Sequence, residues 1–197
     1  MHVFIVYAHP SKKSFTHNVL SKFIEGLVAS DHTYEVSDLY AMEFKADMET
    51  VEYERESGRE PDKEVPEDVR IEQEKILRAD ILIFIYPVWW SDCPAKMKGW
   101  FDRVYTCGFA YEHGDRTQTK YNFKNKRALV ICPAGHTAEH LEQIGIAESM
   151  RKVMINDRLL GLGIKEARMH ILGGTVLKDR LVLKENLEIA FALGRDL

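Results

Sequence analysis

Apolar positions in this chain fall into two kinds of run. HVFIVYA (2–8), DILIFIYP (80–87) and RALVICP (127–133) are near-continuous and rich in β-branched and aromatic residues. A strand that is apolar at every position is covered on both faces, which is the habit of a parallel sheet. ARMHILGG (167–174) is a weaker run of this kind, and TYEVSDL (33–39) alternates more and reads as an edge strand. Between these runs the spacing turns helical. Val19, Leu20, Phe23, Ile24, Leu27 and Val28 form one stripe, and residues 67–78 form a charged helix carrying Val69, Ile71, Ile76 and Leu77. Pro94 is predicted at the first position of a third helix, capped by Ser91 or Asp92 and running to about Tyr105. Residues 138–160 are predicted as a fourth helix, and the segment after Leu177 as the last. Five alternations of strand and helix predict a doubly wound α/β sheet, read as one domain over 1–197.

In such a sheet ligands sit outside the carboxyl ends of the strands, where the strand order reverses. The segments His9–Thr16, Pro87–Pro94 and Pro133–Glu139 then converge on one crevice. AHPSKKSFTHN, in the first, is neither G-x-G-x-x-G nor a Walker loop. It offers an imidazole (His9), hydroxyls (Ser11, Ser14, Thr16) and two lysines at a helix start. That suits an anion, although Ser14 or Thr16 acting as an ordinary cap explains the hydroxyls as well. YPVWWSDCPAKMKGW (86–100) is the second unusual segment, because it puts Trp89 and Trp90 in the turn after a strand.

Composition narrows the classes. The 197 residues are 45% hydrophobic with a formal net charge of -4, enough for a sizeable core. Residues 43–75 hold 13 Asp and Glu against 6 Lys and Arg, and the rest of the chain carries 21 basic against 18 acidic residues. Without a basic stripe, nucleic acid is not an expected partner. Cys93, Cys107 and Cys132 show neither disulfide nor zinc spacing, which fits reduced thiols in a cytoplasmic protein. HVFIVYAH is too short and too soon polar for a signal peptide or membrane span. The acidic segment 43–66 reads from composition alone as a solvated insertion after strand two.

AHPSKKSF, SDLYAMEF, EQEKILRADILIFIYPVWWSDCPAKMKGWFDRVYTCGFAY and RALVICPAG, in this order, resemble the flavin-dependent NAD(P)H:quinone reductases of flavodoxin-like fold. The resemblance covers nearly the whole chain, and its most specific part is the central Trp-Pro-Lys-Gly-Trp block. It implies strand order 2-1-3-4-5, with flavin phosphates at His9, Ser14, Phe15 and Thr16. It implies the flavin ring at Pro87, Val88, Trp89 and Trp90, flanked by Pro133, Ala134, Gly135 and His136. It implies FAD, with FMN as the alternative, NAD(P)H as co-substrate, and a quinone-like acceptor beneath Tyr111, with His113 nearby. A homodimer is implied, with the 43–66 region reaching towards the partner.

The segment CPAGHTAEH departs from the family's pattern. The family's proton-relay tyrosine and histidine fall on Leu141 and Ala147, so the relay is not carried over; His136 or His140 could supply the proton instead, and transfer through water would also suffice. Asp102 falls on an acidic family position near the flavin, or else pairs with Arg103 or a helix end. Arg116, Lys120, Lys124, Lys126 and Arg127 form either a solvated face or a contact for the NADPH phosphate. Two rival functions stay open at this level. One is an ancillary subunit of a potassium-efflux transporter, a membrane partner; the other is a one-electron carrier of flavodoxin type.

Overall fold

A computed structural model describes residues 1–113, 119–121 and 123–197, with His113 and Thr119–Tyr121 in backbone only. Its main sheet has five parallel strands: β1 (His2–Tyr7), β2 (Thr33–Asp38), β3 (Ile81–Ile85), β6 (Arg127–Pro133) and β7 (Glu166–Leu172). Their order is β2-β1-β3-β6-β7, the predicted 2-1-3-4-5 pattern when the sheet's own strands are counted. β4 (Tyr111–His113) and β5 (Thr119–Tyr121) form a separate antiparallel hairpin that the apolar pattern did not announce. At three residues a strand, it is too short to show a period of two.

Both faces of β1 are apolar because both are covered. Phe4, Val6 and Ala8 enter one core with Ile76, Met97, Trp100 and Met150. Val3, Ile5 and Tyr7 enter the other with Val19, Phe23, Leu27 and Ala190. Helices α1 (Phe15–Ala29) and α7 (Arg180–Arg195) supply the second layer, while α3 (Glu67–Arg78), α4 (Ala95–Val104) and α6 (Ile146–Arg151) supply the first. No helix among the described residues is long and apolar enough to cross a membrane.

Three sequence expectations are corrected. Pro94 precedes α4 as its cap residue and is not its first helical position. Neither Ser91 nor Asp92 caps that helix, and Asp92 instead accepts from the Cys93 N–H at 2.7 Å. Residues 138–160 are not one helix. Gly145 stands at φ 75°, a left-handed position that glycine adopts at no steric cost, and it separates α5 (Ala138–Gln143) from α6. A π-helical stretch, Lys152–Asp157, and a short 3-10 turn, Leu160–Leu162, come after α6. Asp102 pairs with Lys98 one turn away and not with Arg103.

The acidic segment is not merely solvated. It holds helix α2 (Thr50–Gly58), opened by a reciprocal Glu49–Glu52 capping box. Arg103, 3% exposed, binds Glu52 at 2.8 Å, Asp68 at 2.5 and 3.0 Å and the Lys45 carbonyl at 2.8 Å, with its guanidinium over the Phe44 ring. Gly99 explains why a glycine precedes Trp100: a Cβ there would lie 2.2 Å from the Ala46 carbonyl oxygen. Trp100 itself donates to Glu72 at 2.8 Å within the core. The GWFDRV motif thus fastens the insertion to the sheet.

Candidate functional site

The strand order reverses between β1 and β3, so the crevice rule points to the segments leaving those strands and β6. The first two meet directly. His9 lies edge-on to Trp89, with ring centroids 5.9 Å apart. The third is tied to the second at its base, where the Val88 N–H donates to the Pro133 carbonyl at 2.8 Å.

After β1 the chain turns through exposed Pro10–Lys13 into α1. Ser14 is the cap residue of α1, and its hydroxyl accepts from the His17 N–H at 3.1 Å. The Phe15 and Thr16 N–H groups lie ahead of the first intrahelical bond, and no acidic residue stands in that turn. Burial lowers the pKa of His9, whose Nδ1 accepts from the Ser11 N–H at 3.0 Å. Beneath this turn, Tyr7 Oη and His17 Nδ1 are buried with no hydrogen-bond partner among the described residues, their rings 6.0 Å apart. Burial pushes the Tyr7 phenol up to about 12.

After β3, Pro87 is buried and Val88 half-buried, and the chain then doubles back at Trp89–Asp92. Trp89 and Asp92 exchange backbone bonds of 3.0 and 3.1 Å. The two residues between them, Trp90 and Ser91, have φ of +49° and +67°. This is a two-residue hairpin turn of the kind usually built from Asn-Gly. Left-handed backbone at two non-glycine residues persists only when the surroundings hold it, and such strain gathers at functional sites. Trp89 is partly exposed and Trp90 fully exposed, its indole standing clear of the protein.

After β6, Ala134 is buried and Gly135 half-buried, and His136 is exposed on the rim. Thr137 caps α5, and the His136 and His140 rings lie 5.0 Å apart between centroids, tilted by 44°. Leu141 and Ala147, on the family's relay positions, are both buried and apolar.

Tyr111 is the first residue of β4. It is half-buried, its Oη is 3.4 Å from Glu56 Oε2, and burial, joined by that carboxylate, raises its pKa. It lines a cleft of about 450 Å³ with Phe101, Tyr105 and Arg158, and that lining includes neither Trp89 nor Trp90. A further cleft of about 470 Å³, between Arg127, Glu166 and α7, opens at the strands' amino ends, the side opposite to where this fold binds ligands. Arg116 lies outside the described residues, and the Lys120 and His113 side chains are not described. Lys126 is structural, since its ammonium donates to the carbonyls of Leu77 at 3.3 Å and Ala79 at 2.7 Å, at the C-terminal end of α3. Arg127 reaches Met1.

Sequence reasoning missed Arg55, Glu56 and Arg158. Arg55 and Glu56 bracket Cys107: Arg55 Nη2 donates to its carbonyl at 3.2 Å, and its N–H donates to Glu56 Oε2 at 2.8 Å. Arg158 forks onto Asp92. Arg55 and Glu56 sit in a polar stretch and Arg158 between two apolar ones, and neither pattern carries such a signal.

A five-stranded parallel sheet of this order, with helices on both faces, defines a flavodoxin-like fold. A family model described as flavodoxin-like fold matches residues 1–189, and the chain belongs to that family. Among solved structures it is similar to an NAD(P)H:quinone oxidoreductase from Methanothermobacter marburgensis. The two are 53% identical with a TM-score of 0.95, covering 100% of this chain and 98% of that one. It is 32% identical to NAD(P)H dehydrogenase (quinone) 1 of Cavia porcellus over 90% of this chain, and spans 66% of that protein's length. It is 28% identical to an uncharacterized NAD(P)H oxidoreductase of Haemophilus influenzae, over 96% of this chain and 92% of that one.

Proposed function

We propose that this protein is a flavin-dependent oxidoreductase that passes a hydride from NAD(P)H to a quinone or a similarly flat, electron-poor acceptor. The observation that carries the reading is the Trp89–Asp92 turn. An indole fully exposed on strained backbone, at the carboxyl end of a switch-point strand, contributes nothing to packing and is placed for a planar ligand. The 53% identity to an enzyme of that name supports the same reading.

The residues present fit a flavin. The Phe15 and Thr16 N–H groups, with Ser14 and His9, suit its phosphates, and the buried Tyr7 Oη and His17 Nδ1, without a partner among the described residues, lie at the same turn. Pro87, Val88, Trp89 and Trp90 would form the wall of the ring site, with Pro133, Ala134, Gly135 and His136 across from it. FAD is the proposed flavin, with FMN the alternative. A flavin bound there supplies the ring that accepts a hydride and hands it on.

The chain's own residues bind and orient. The turn fixes the plane against which the nicotinamide and then the acceptor stack in alternation, so rate enhancement comes mainly from positioning. Tyr111 is proposed above the acceptor; its raised pKa makes it a hydrogen-bond donor in preference to a proton source. His136 and His140, side by side on the rim, are the proposed proton donors. A cytoplasmic homodimer completes the proposal, with Val51 and Tyr53 exposed on α2 for the contact.

The test is to purify the protein, release the bound flavin by heat and identify it by mass. FAD bound in proportion to chain is the expected result. A colourless protein that takes up neither FAD nor FMN overturns the reading.

A further inference from the structure

The backbone of Lys152–Asp157 is π-helical, a rare geometry that recurs at functional sites. Its wide turn is read directly from the Arg158 N–H, which donates five residues back to the Val153 carbonyl at 3.1 Å. One extra residue in the turn rotates the next side chains by about 100° relative to an α-helix. Arg158 is thereby aimed at the turn after β3. Its guanidinium lies over the Phe101 ring at 5.6 Å and forks onto Asp92, with Nη1 to Oδ1 and Nη2 to Oδ2 both 3.0 Å. Its side chain is 12% exposed.

Asp92 is the residue that closes the Trp89–Asp92 turn. Its backbone makes both of the turn's bonds, and its Oδ1 also accepts from the Cys93 N–H. Trp90 and Ser91 are held left-handed between them. The turn's own two bonds are common to any hairpin of this length, so they do not explain why an unfavourable residue pair stays in place. The Arg158 fork is an added tie from a separate element, and a planar fork fixes direction as well as distance. Arg158 also lies 3.7 Å from Cys93 Sγ, yet burial and the Asp92 charge push that thiol up to about 12. Activation of a thiol is therefore not what Arg158 does.

We infer that Arg158 is a positioning residue which, through Asp92, holds the Trp89–Trp90 turn in its left-handed form and so sets the aromatic wall of the ring site. The inference rests on reading that turn as the place where the flavin ring lies. Losing the fork lets Trp90 relax and moves the wall.

The experiment compares wild type with Arg158→Met and Arg158→Lys in two measurements. The first is the indole N–H spectrum of the flavin-free protein labelled with nitrogen-15. Trp89 and Trp90 are expected to shift or broaden in Arg158→Met, while Trp100, bonded to Glu72 in the core, stays in place as an internal control. The second is FAD titration, where Arg158→Met is expected to weaken binding about ten-fold and Arg158→Lys, which keeps charge without the fork, by less. Unmoved Trp89 and Trp90 signals, or moved signals with FAD affinity within about two-fold of wild type, overturn the inference. If Arg158→Met does not fold, Asp92→Asn removes the same ion pair and is read by the same criteria. A wild-type protein that binds no flavin sinks the functional reading, while the indole comparison still decides whether Arg158 holds the turn.

Discussion

Arg103→Met removes the cation that fastens the acidic insertion to α4. The Glu52 side chain is 9% exposed and would be left charged in a nearly dry site, whereas Asp68, at 38%, recovers much of its hydration. Breaking a buried pair from one side costs about 3–5 kcal/mol, and the partial exposure of Asp68 places this case near the lower end. A domain of this size loses roughly 2–4 °C in Tm per kcal/mol, so a fall of about 6–12 °C is expected. Scanning calorimetry at pH 7 and low salt measures it, with Arg103→Lys beside it. Lysine keeps the charge but cannot reach Glu52, Asp68 and the Lys45 carbonyl together, so its loss is intermediate. Flavin affinity in Arg103→Met stays within about two-fold, because Arg103 works on the insertion and not on the Trp89–Asp92 turn. A Tm shift below about 2 °C, or full rescue by lysine, refutes the claim that the fork holds the insertion.

Trp90→Gly relieves a left-handed tryptophan with no buried area to lose, so Tm holds or rises slightly while FAD titration shows weaker binding. Burial alone would raise the carboxyls of Asp68 and Asp92, but bonds from Arg103 and Arg158 outweigh it and hold both below the usual range. Their contribution to stability is present above the unfolded pKa and is lost as pH falls through the lowered folded value. A Tm series from pH 7 into strong acid therefore stays flat to about pH 5 and drops below about pH 4, with a smaller drop in Arg103→Met. The three cysteines are buried, with Cys93 and Cys132 pushed up to about 12 by burial. A thiol reagent at mildly alkaline pH should label none in the native protein and all three after unfolding.

The sheet was legible because β1, β3 and β6 are covered on both faces, which leaves an apolar run that nothing else in the chain imitates. The Trp89–Asp92 turn was legible as a place, since Pro-Val-Trp-Trp after a strand is unusual, but not as a shape. Nothing in Trp-Ser announces two left-handed residues, because the shape is held from outside, by Asp92 and by Arg158 on an element 66 residues away. The insertion misled for a related reason. Its acidic composition reads as solvated, yet Glu52 and Arg55 are buried because partners distant in sequence satisfy them. The break at Gly145 carried a signal in the glycine, and the apolar spacing on either side hid it.

The proposed chemistry is tested most directly by anaerobic stopped-flow mixing of the flavin-loaded protein with NADH or NADPH, and then with a quinone. The expected record is a single-phase loss of the flavin's visible absorption band on adding one of the two nucleotides. The band should then return in one two-electron step on adding the quinone. A loaded protein that neither nucleotide bleaches, or that returns its electrons to the quinone in two separate one-electron steps, contradicts it.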